Sequence, residues 1–384
     1  MDNILLHKVQ VDNIKSSYGE HDQLDFSCAF DNRAMVCNTL RLHATLKVYK
    51  TTNTDLDGTE DVYIDPHTGG HNFISSCVTQ FQSMGVIENV TEMPRFVKTK
   101  TDCENIDNDF LDSDKVCELR SPHKALQKRL ILRKVPKTCG GNTANNCAIV
   151  NAVSSGQVIY PSFSLKPRIC LNAVEGTNNL LSYQQSGMVK LTVTLERNLG
   201  VLFGQDVNAN YYYELSDVFV TYTSAPDVKP SPVTMRTTVC LKNSISSAFS
   251  NISSKVPAVC SAMTMSFLPQ NHEHQANFNN VALESPPNIS AVSYLFNDST
   301  NKYLTFEIKN RVEMIKRGLE SISGGASNSA SFDNLYANEG FLLGLNWEDP
   351  TDLSNSKFNI QLNSDISSSN PFIVYMYFHS MRTI

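Results

Sequence analysis

Apolar and polar residues alternate along much of this chain. At residues 189–196, Val189, Leu191, Val193 and Leu195 stand against Lys190, Thr192, Thr194 and Glu196, a period of two that predicts a strand with one buried face. After a Gly- and Asn-containing connection, 215–223 is a second β-rich run, and Pro226, Pro230 and Pro232 then stop it. Prolines so close together deny a sheet its amide donors, so 226–232 reads as a linker. A similar order returns near the end of the chain. GFLLGLNW, a polar stretch, FNIQL, a Ser/Asn turn and FIVYMYFHS follow one another over 340–380. Two domains of one type, each closing on a long strand, are expected.

From the start of the chain, residues 1–19 place Ile4, Leu5, Val9, Val11 and Ile14 without a clean period. They are read as an N-terminal arm, with a first strand docked on a sheet as the alternative. Strands are predicted at 24–30, at 40–50, where Leu40, Leu42, Ala44, Leu46 and Val48 share a face, and at 62–64. A strand, a bend at Gly85 and a second strand are predicted over 71–90, and a short helix opens near Thr91. Residues 101–156 turn acidic, then basic, then Gly/Asn-rich around 139–142. They read as a long loop excursion from the first domain, with a short helix at 122–130. Strands resume at 158–165 and 168–171. Beyond the linker, 256–268, 286–296 and 304–308 are strands. Val312, Ile315, Leu319 and Ile322 then fall at helical spacing with charges between them, ended by Gly324-Gly325, and predict a crossover helix over 309–322. Short strands, frequent turn signals and little helix favour a sandwich or barrel. The division is arm 1–19, first domain 20–225, linker 226–232 and second domain 233–384.

At 384 residues the chain exceeds the size at which one core usually keeps growing, which agrees with two domains. Only 18% of residues are charged, and the formal net charge is -6. Non-specific nucleic-acid binding relies on Lys and Arg neutralising phosphates, so no specific nucleic-acid partner is expected. The basic cluster between Arg120 and Lys137 lacks interleaved aromatics. The N-terminus shows no signal peptide and no apolar run approaches a bilayer span, so synthesis in cytoplasm or nucleus, without secretion, is expected. Ten cysteines then read as thiols.

Candidate chemistry is sparse. His272-Glu-His274 and the pair His67 and His71 invite a metal, but the spacing suits ordinary loop histidines better. Cys28 with Cys37, and Cys139 with Cys147, lack the close pairing of a zinc knuckle or redox motif. Ser-nucleophile, P-loop and dinucleotide fingerprints do not occur. Tyr211-Tyr212-Tyr213 could form a sugar platform, though packing is the simpler use of tyrosines entering a strand. No catalytic, cofactor-binding or metal residue is assigned, and no enzyme is expected.

Several stretches resemble the double jelly-roll major capsid proteins of icosahedral double-stranded DNA viruses. Residues 70–76 (GHNFISS) with 85–90 (GVIENV) are similar to a first-domain strand and turn of the polinton-like and adintovirus type. YELSDV at 213–218, KVPAV at 255–259, FLLGLNW at 341–347 and FIVYMYF at 372–378 match the ends and openings of the two rolls. The resemblance implies an all-β fold of two tandem eight-stranded jelly rolls with short helices in the connections. It also implies homotrimeric, pseudo-hexagonal capsomers that self-assemble into an icosahedral capsid, making the chain a viral structural protein of the virion. Its partners would be other copies of itself, penton and minor capsid proteins and, where the virion has one, an internal membrane. Loop excursions would be 101–156 from the first roll and 270–285 or 324–338 from the second. The competing functions are a penton or vertex capsid protein, built on a single roll with an added domain, and a glycan-binding attachment protein.

Overall fold

The computed structural model describes residues 4–30, 32–50, 62–65, 67–103, 118–119, 130–136, 148–154, 157–159, 162–165, 173, 177–204, 210–226, 229–256, 259–297, 303–323, 340–354 and 357–384. Strands dominate. The C-terminal half holds β16 (Thr234–Ile245), β17 (Phe249–Ser254), β18 (Val259–Pro269), β19 (Ala291–Asn297), β20 (Tyr303–Ile308), β21 (Leu343–Asp352), β22 (Lys357–Asn363) and β23 (Phe372–Thr383). They form two antiparallel four-stranded sheets, β16-β23-β18-β21 and β17-β22-β19-β20. Counted along the chain, the orders are 1-8-3-6 and 2-7-4-5, the strand order of a jelly roll.

Among the described residues the N-terminal half carries fifteen strands. They are β1 (Leu5–Gln10), β2 (Gln23–Cys28), β3 (Arg33–Val36), β4 (Arg41–Lys50), β5 (Val62–Ile64), β6 (Ile74–Phe81), β7 (Gly85–Thr91), β8 (Leu130–Pro136), β9 (Ala148–Ser154), β10 (Gln157–Ile159), β11 (Ser162–Leu165), β12 (Leu180–Ser182), β13 (Val189–Leu195), β14 (Phe203–Gly204) and β15 (Tyr211–Pro226). Eight of these repeat the pattern. β1-β15-β4-β11 and β2-β13-β6-β7 are neighbours in their sheets, again 1-8-3-6 and 2-7-4-5 when those eight are counted in chain order. β3 and β12 extend the first sheet beside the end of β15, and the remaining five form a separate sheet, β10-β9-β8-β5-β14.

Alternation builds the first roll's core. β13 buries Val189, Leu191, Val193 and Leu195 and leaves the intervening residues half-buried. β15 does the same over most of its sixteen residues, with a bulge between Ser216 and Phe219 where Asp217 takes a positive φ. Gly85, at φ +77, turns β6 into β7, a conformation that costs glycine little. Each half then adds a helix directly after its fifth roll strand: α1 (Met93–Cys103) after β7 and α2 (Arg311–Ser323) after β20.

Backbone pairing revises several expectations. Within the segment expected as an arm, Leu5–Gln10 pairs in register with Phe219–Ser224 and occupies the first-strand position that β16 holds in the second half. Its weak alternation reflects an edge strand exposed on much of both faces. Within 101–156, the expected excursion, β8 and β9 form a parallel pair in the five-stranded sheet, so this part of it is structured. The helix near Thr91 runs on to Cys103. The expected helix at 122–130 lies outside the described residues except Leu130, which opens β8, and the excursion at 324–338 lies outside them altogether. Pro226 ends β15 and Thr234 opens β16 in a different sheet. Between them the chain is pinned, because Ser231 accepts hydrogen bonds from Asn178 and Gln185 on its carbonyl, at 3.2 and 3.0 Å.

Candidate functional site: the seam between the two rolls

The most elaborate polar geometry lies where the halves meet. β23 is buried on both faces: Phe372, Val374, Met376 and Phe378 point into the second roll's core, while Ile373, Tyr375 and Tyr377 join the core of the first half. This explains the unbroken apolar run, since a strand covered on both sides has no face for polar residues. β7 and α1 supply the cover. Phe96 packs on the Tyr377 ring, centroids 5.3 Å apart, and the Tyr377 hydroxyl donates to the Glu92 carbonyl at 3.0 Å. Arg382 donates to the Ile87 carbonyl at 3.3 Å.

Arg95 is the centre of this seam. Its guanidinium is buried and lies 4.4 Å from the Tyr375 ring centroid. It donates to the carbonyls of Ala282 (2.7 Å), Phe267 (3.4 Å) and Asn280. A planar five-donor fork can stack on a ring and reach several carbonyls at once, which an ammonium cannot. Lys242, beside it, joins Glu92 of the first half at 3.2 Å to Glu273 of the second at 2.5 Å. Partial burial pulls on that ammonium, but the Glu273 hydrogen bond and the Glu92 charge hold its pKa above the usual value. Burial raises the nearby Glu196 carboxyl and lowers His274. Glu92, Arg95, Glu196, Glu273, His274 and Tyr375 line a cavity of about 30 Å³, water-sized rather than substrate-sized.

Residues 270–285, expected as a loop excursion, instead fold back over the first half. The Gly204 amide donates to the Ala276 carbonyl, and Asn280 to the Leu199 carbonyl, each at 2.7 Å. Asn279 donates at 2.7 Å to Asp65. Asp65 is buried and also accepts the His67 and Thr68 amides at 2.9 and 3.0 Å, with Lys98 at 3.4 Å. Every donor favours the charged carboxylate, which makes this a satisfied polar anchor.

The residues singled out in the sequence are not assembled into one centre. His67 meets Lys98 at 2.7 Å, and the buried His71 meets the Thr68 carbonyl at 3.2 Å. His272 stacks on Phe278 and meets Glu284 at 2.9 Å. Among the described residues no three His, Cys, Asp or Glu side chains are grouped to hold a metal ion. Cys28 and Cys37 are free thiols whose pKa burial pushes up to about 12. Cys139 and Cys147 lie outside the described residues. Tyr211 and Tyr213 are buried, and Tyr212 stacks on Tyr49 at 5.6 Å. Sequence reasoning missed Arg95, Lys242, Glu92 and Glu273. The one available signal was the two-sided apolar run 372–378.

No protein-family model matches the sequence, and no curated protein matches it. Solved structures do match over nearly the whole chain. A chain of the Sputnik virophage gives a TM-score of 0.58 at 9% identity, covering 99% of this chain and 86% of its own. The PBCV-1 virus capsid gives 0.54 at 10%, covering 100% and 95%. The Faustovirus major capsid protein gives 0.52 at 9%, covering 100% and 90%. Together with the repeated strand order, these likenesses define the fold: the chain is a double jelly roll, as the resemblance implied.

Proposed function

We propose that this chain is the major capsid protein of an icosahedral virus, a virion protein that self-assembles as pseudo-hexagonal homotrimers into a shell. The observation that carries the reading is the chain-long fit of both rolls to the Faustovirus and mavirus major capsid proteins, with 98–100% of this chain covered. Its physical basis is rigidity. Two sheets packed face to face make a stiff wall, and connections at their ends can be elaborated without disturbing the core; the five-stranded sheet is such an elaboration. The two bodies are proposed to divide at 226–232, with β1 counted in the first roll. Penton and minor capsid proteins, and an internal membrane where the virion has one, are the further partners proposed. The narrower adintovirus-like assignment rests on residues 70–76 and 85–90 alone.

The vertex-protein reading needs one roll with a different added domain, whereas both halves here share one strand order. The attachment-protein reading loses its platform with Tyr211 and Tyr213 in the core. Negative-stain imaging and mass photometry over a concentration series test the proposal. Pseudo-hexagonal trimers are expected; protein that stays monomeric at high concentration, and is missing from the facets of particles, overturns it.

A further inference from the structure

We infer that His379 is a proton sensor in the seam: its neutral ring, carrying hydrogen on Nε2 alone, locks α1 and α2 onto the sheet β16-β23-β18-β21, and uptake of a second proton loosens both helices. The inference concerns the single chain and does not depend on its assembly.

A directed run of hydrogen bonds sets the state of the ring. Ser321, on α2, donates its hydroxyl to the Gly318 carbonyl at 2.7 Å. A hydroxyl has one hydrogen to give, so at the 2.6 Å contact between Ser321 and Thr264 it is Thr264 that donates. The Thr264 hydrogen is then committed too, and across 2.9 Å it is Nε2 of His379 that donates to Thr264. A neutral ring protonated on Nε2 leaves Nδ1 as an acceptor. The Thr238 hydroxyl, 3.3 Å away, is placed to donate to it. Thr238, Thr264 and Ser321 are all buried. The run therefore passes from β16 through β23 and β18 into α2, and every link depends on which nitrogen holds the hydrogen.

Helix α1 closes the site from the first roll. The Phe96 ring, buried, has its centroid 6.0 Å from that of His379. Among the described residues the charges that act on the imidazole are Lys100 of α1 and Arg236 of β16, both cations. A second proton makes an imidazolium beside two like charges, in a place where Phe96 has displaced water. It also aims an N–H at the Thr238 hydroxyl that donates in the neutral state. Lifting α1 returns water to the ring, so opening takes up a proton. The closed seam holds this pKa at about 3, against the ordinary 6.5 of an exposed ring. Between those values acid favours opening, by roughly tenfold per pH unit. Two other seam groups have shifted pKa values. His274, lowered by burial, acts in the same direction, and Glu196, raised by burial, opposes it. Both line the cavity beside Arg95.

Hydrogen exchange of the full chain, followed by mass spectrometry from about pH 7.5 to about pH 4.5 and corrected for intrinsic rates, tests the inference. Peptides from α1 and α2 are expected to lose protection about tenfold per pH unit below 6.5 while those from β13 keep theirs. His379→Gln, which takes up no proton in this range, is expected to abolish that loss, and His274→Gln to leave it in place. Nitrogen-15 spectra of histidine-labelled wild type, with His379 assigned by its proximity to the Phe96 ring, are expected to show hydrogen on Nε2 and none on Nδ1 at neutral pH. Helices that stay protected in acid, or lose protection equally in His379→Gln, overturn the inference. So does a wild-type His379 that carries its hydrogen on Nδ1, or that titrates near 6.5 while both helices stay protected. These last readings hold even where the variant fails to fold.

Discussion

Arg95 reaches three carbonyls from the second roll and one tyrosine ring while almost fully buried. Removing it leaves those acceptors in the seam without a donor, the expensive side of hydrogen-bond energetics. Arg95→Ala is expected to cost roughly 2–4 kcal/mol in urea denaturation, and Arg95→Lys to recover little of it, since an ammonium lacks the planar fork. His379 contributes to the pH dependence. It is half-buried between Thr264, 2.9 Å from Nε2, and Thr238, 3.3 Å from Nδ1, and desolvation lowers its pKa to about 3, with Lys100 and Arg236 adding. The folded value lies below the ordinary 6.5, so the unfolded chain takes up the proton first. Stability is therefore full above pH 6.5 and falls as the pH drops from there toward 3, by roughly 1.4 kcal/mol per pH unit from this site. Equilibrium unfolding across that range is expected to show a shallower acid limb in His379→Gln.

The elements are set close by glycine in one place and held by edge pairing in another. α2 lies on β21, and a Cβ added at Gly344 would sit 2.8 Å from the Met263 carbonyl oxygen and against Ser321. Gly344→Ala must therefore move α2 or β18, and is expected to cost about 1–3 kcal/mol in chemical denaturation. β1 offers the second prediction. As an arm, its removal would spare the fold and weaken only shell assembly. As a paired strand over Phe219–Ser224, with His7 stacked on Tyr222 at 4.7 Å, it belongs to the first roll. Deleting residues 1–10 is expected to lower the calorimetric melting temperature of the monomer and to speed amide exchange in β15. An unchanged melt would return the segment to the status of an arm.

At the scale of the whole molecule, a fold made once is used twice and the copies differ at their outward faces. The all-β class, strands β13 and β15 and the α2 helix were legible because each shows its buried face as a period of two or 3.6 in neighbouring residues, and the closing strand was legible as an unbroken apolar run. The seam was not legible. Arg95 and Tyr375 are 280 positions apart and carry no shared pattern. β1 was left open between an arm and a docked first strand for a related reason: an edge strand with little buried on either face loses the alternation that marks a strand. The excursion at 101–156 changed character in its composition, but its pairing with β5, through β8, depends on contacts far along the chain.

By itself the sequence determined two β-rich stretches with a cluster of three prolines between them, properties of residues near one another. The tertiary structure decided that both halves share one strand order, that β23 is buried on two sides, and that Asp65, Arg95 and Lys242 tie one half to the other. The physical reason is that local periodicity records which face of a strand is buried, whereas the identity of what buries it is set only when distant segments meet.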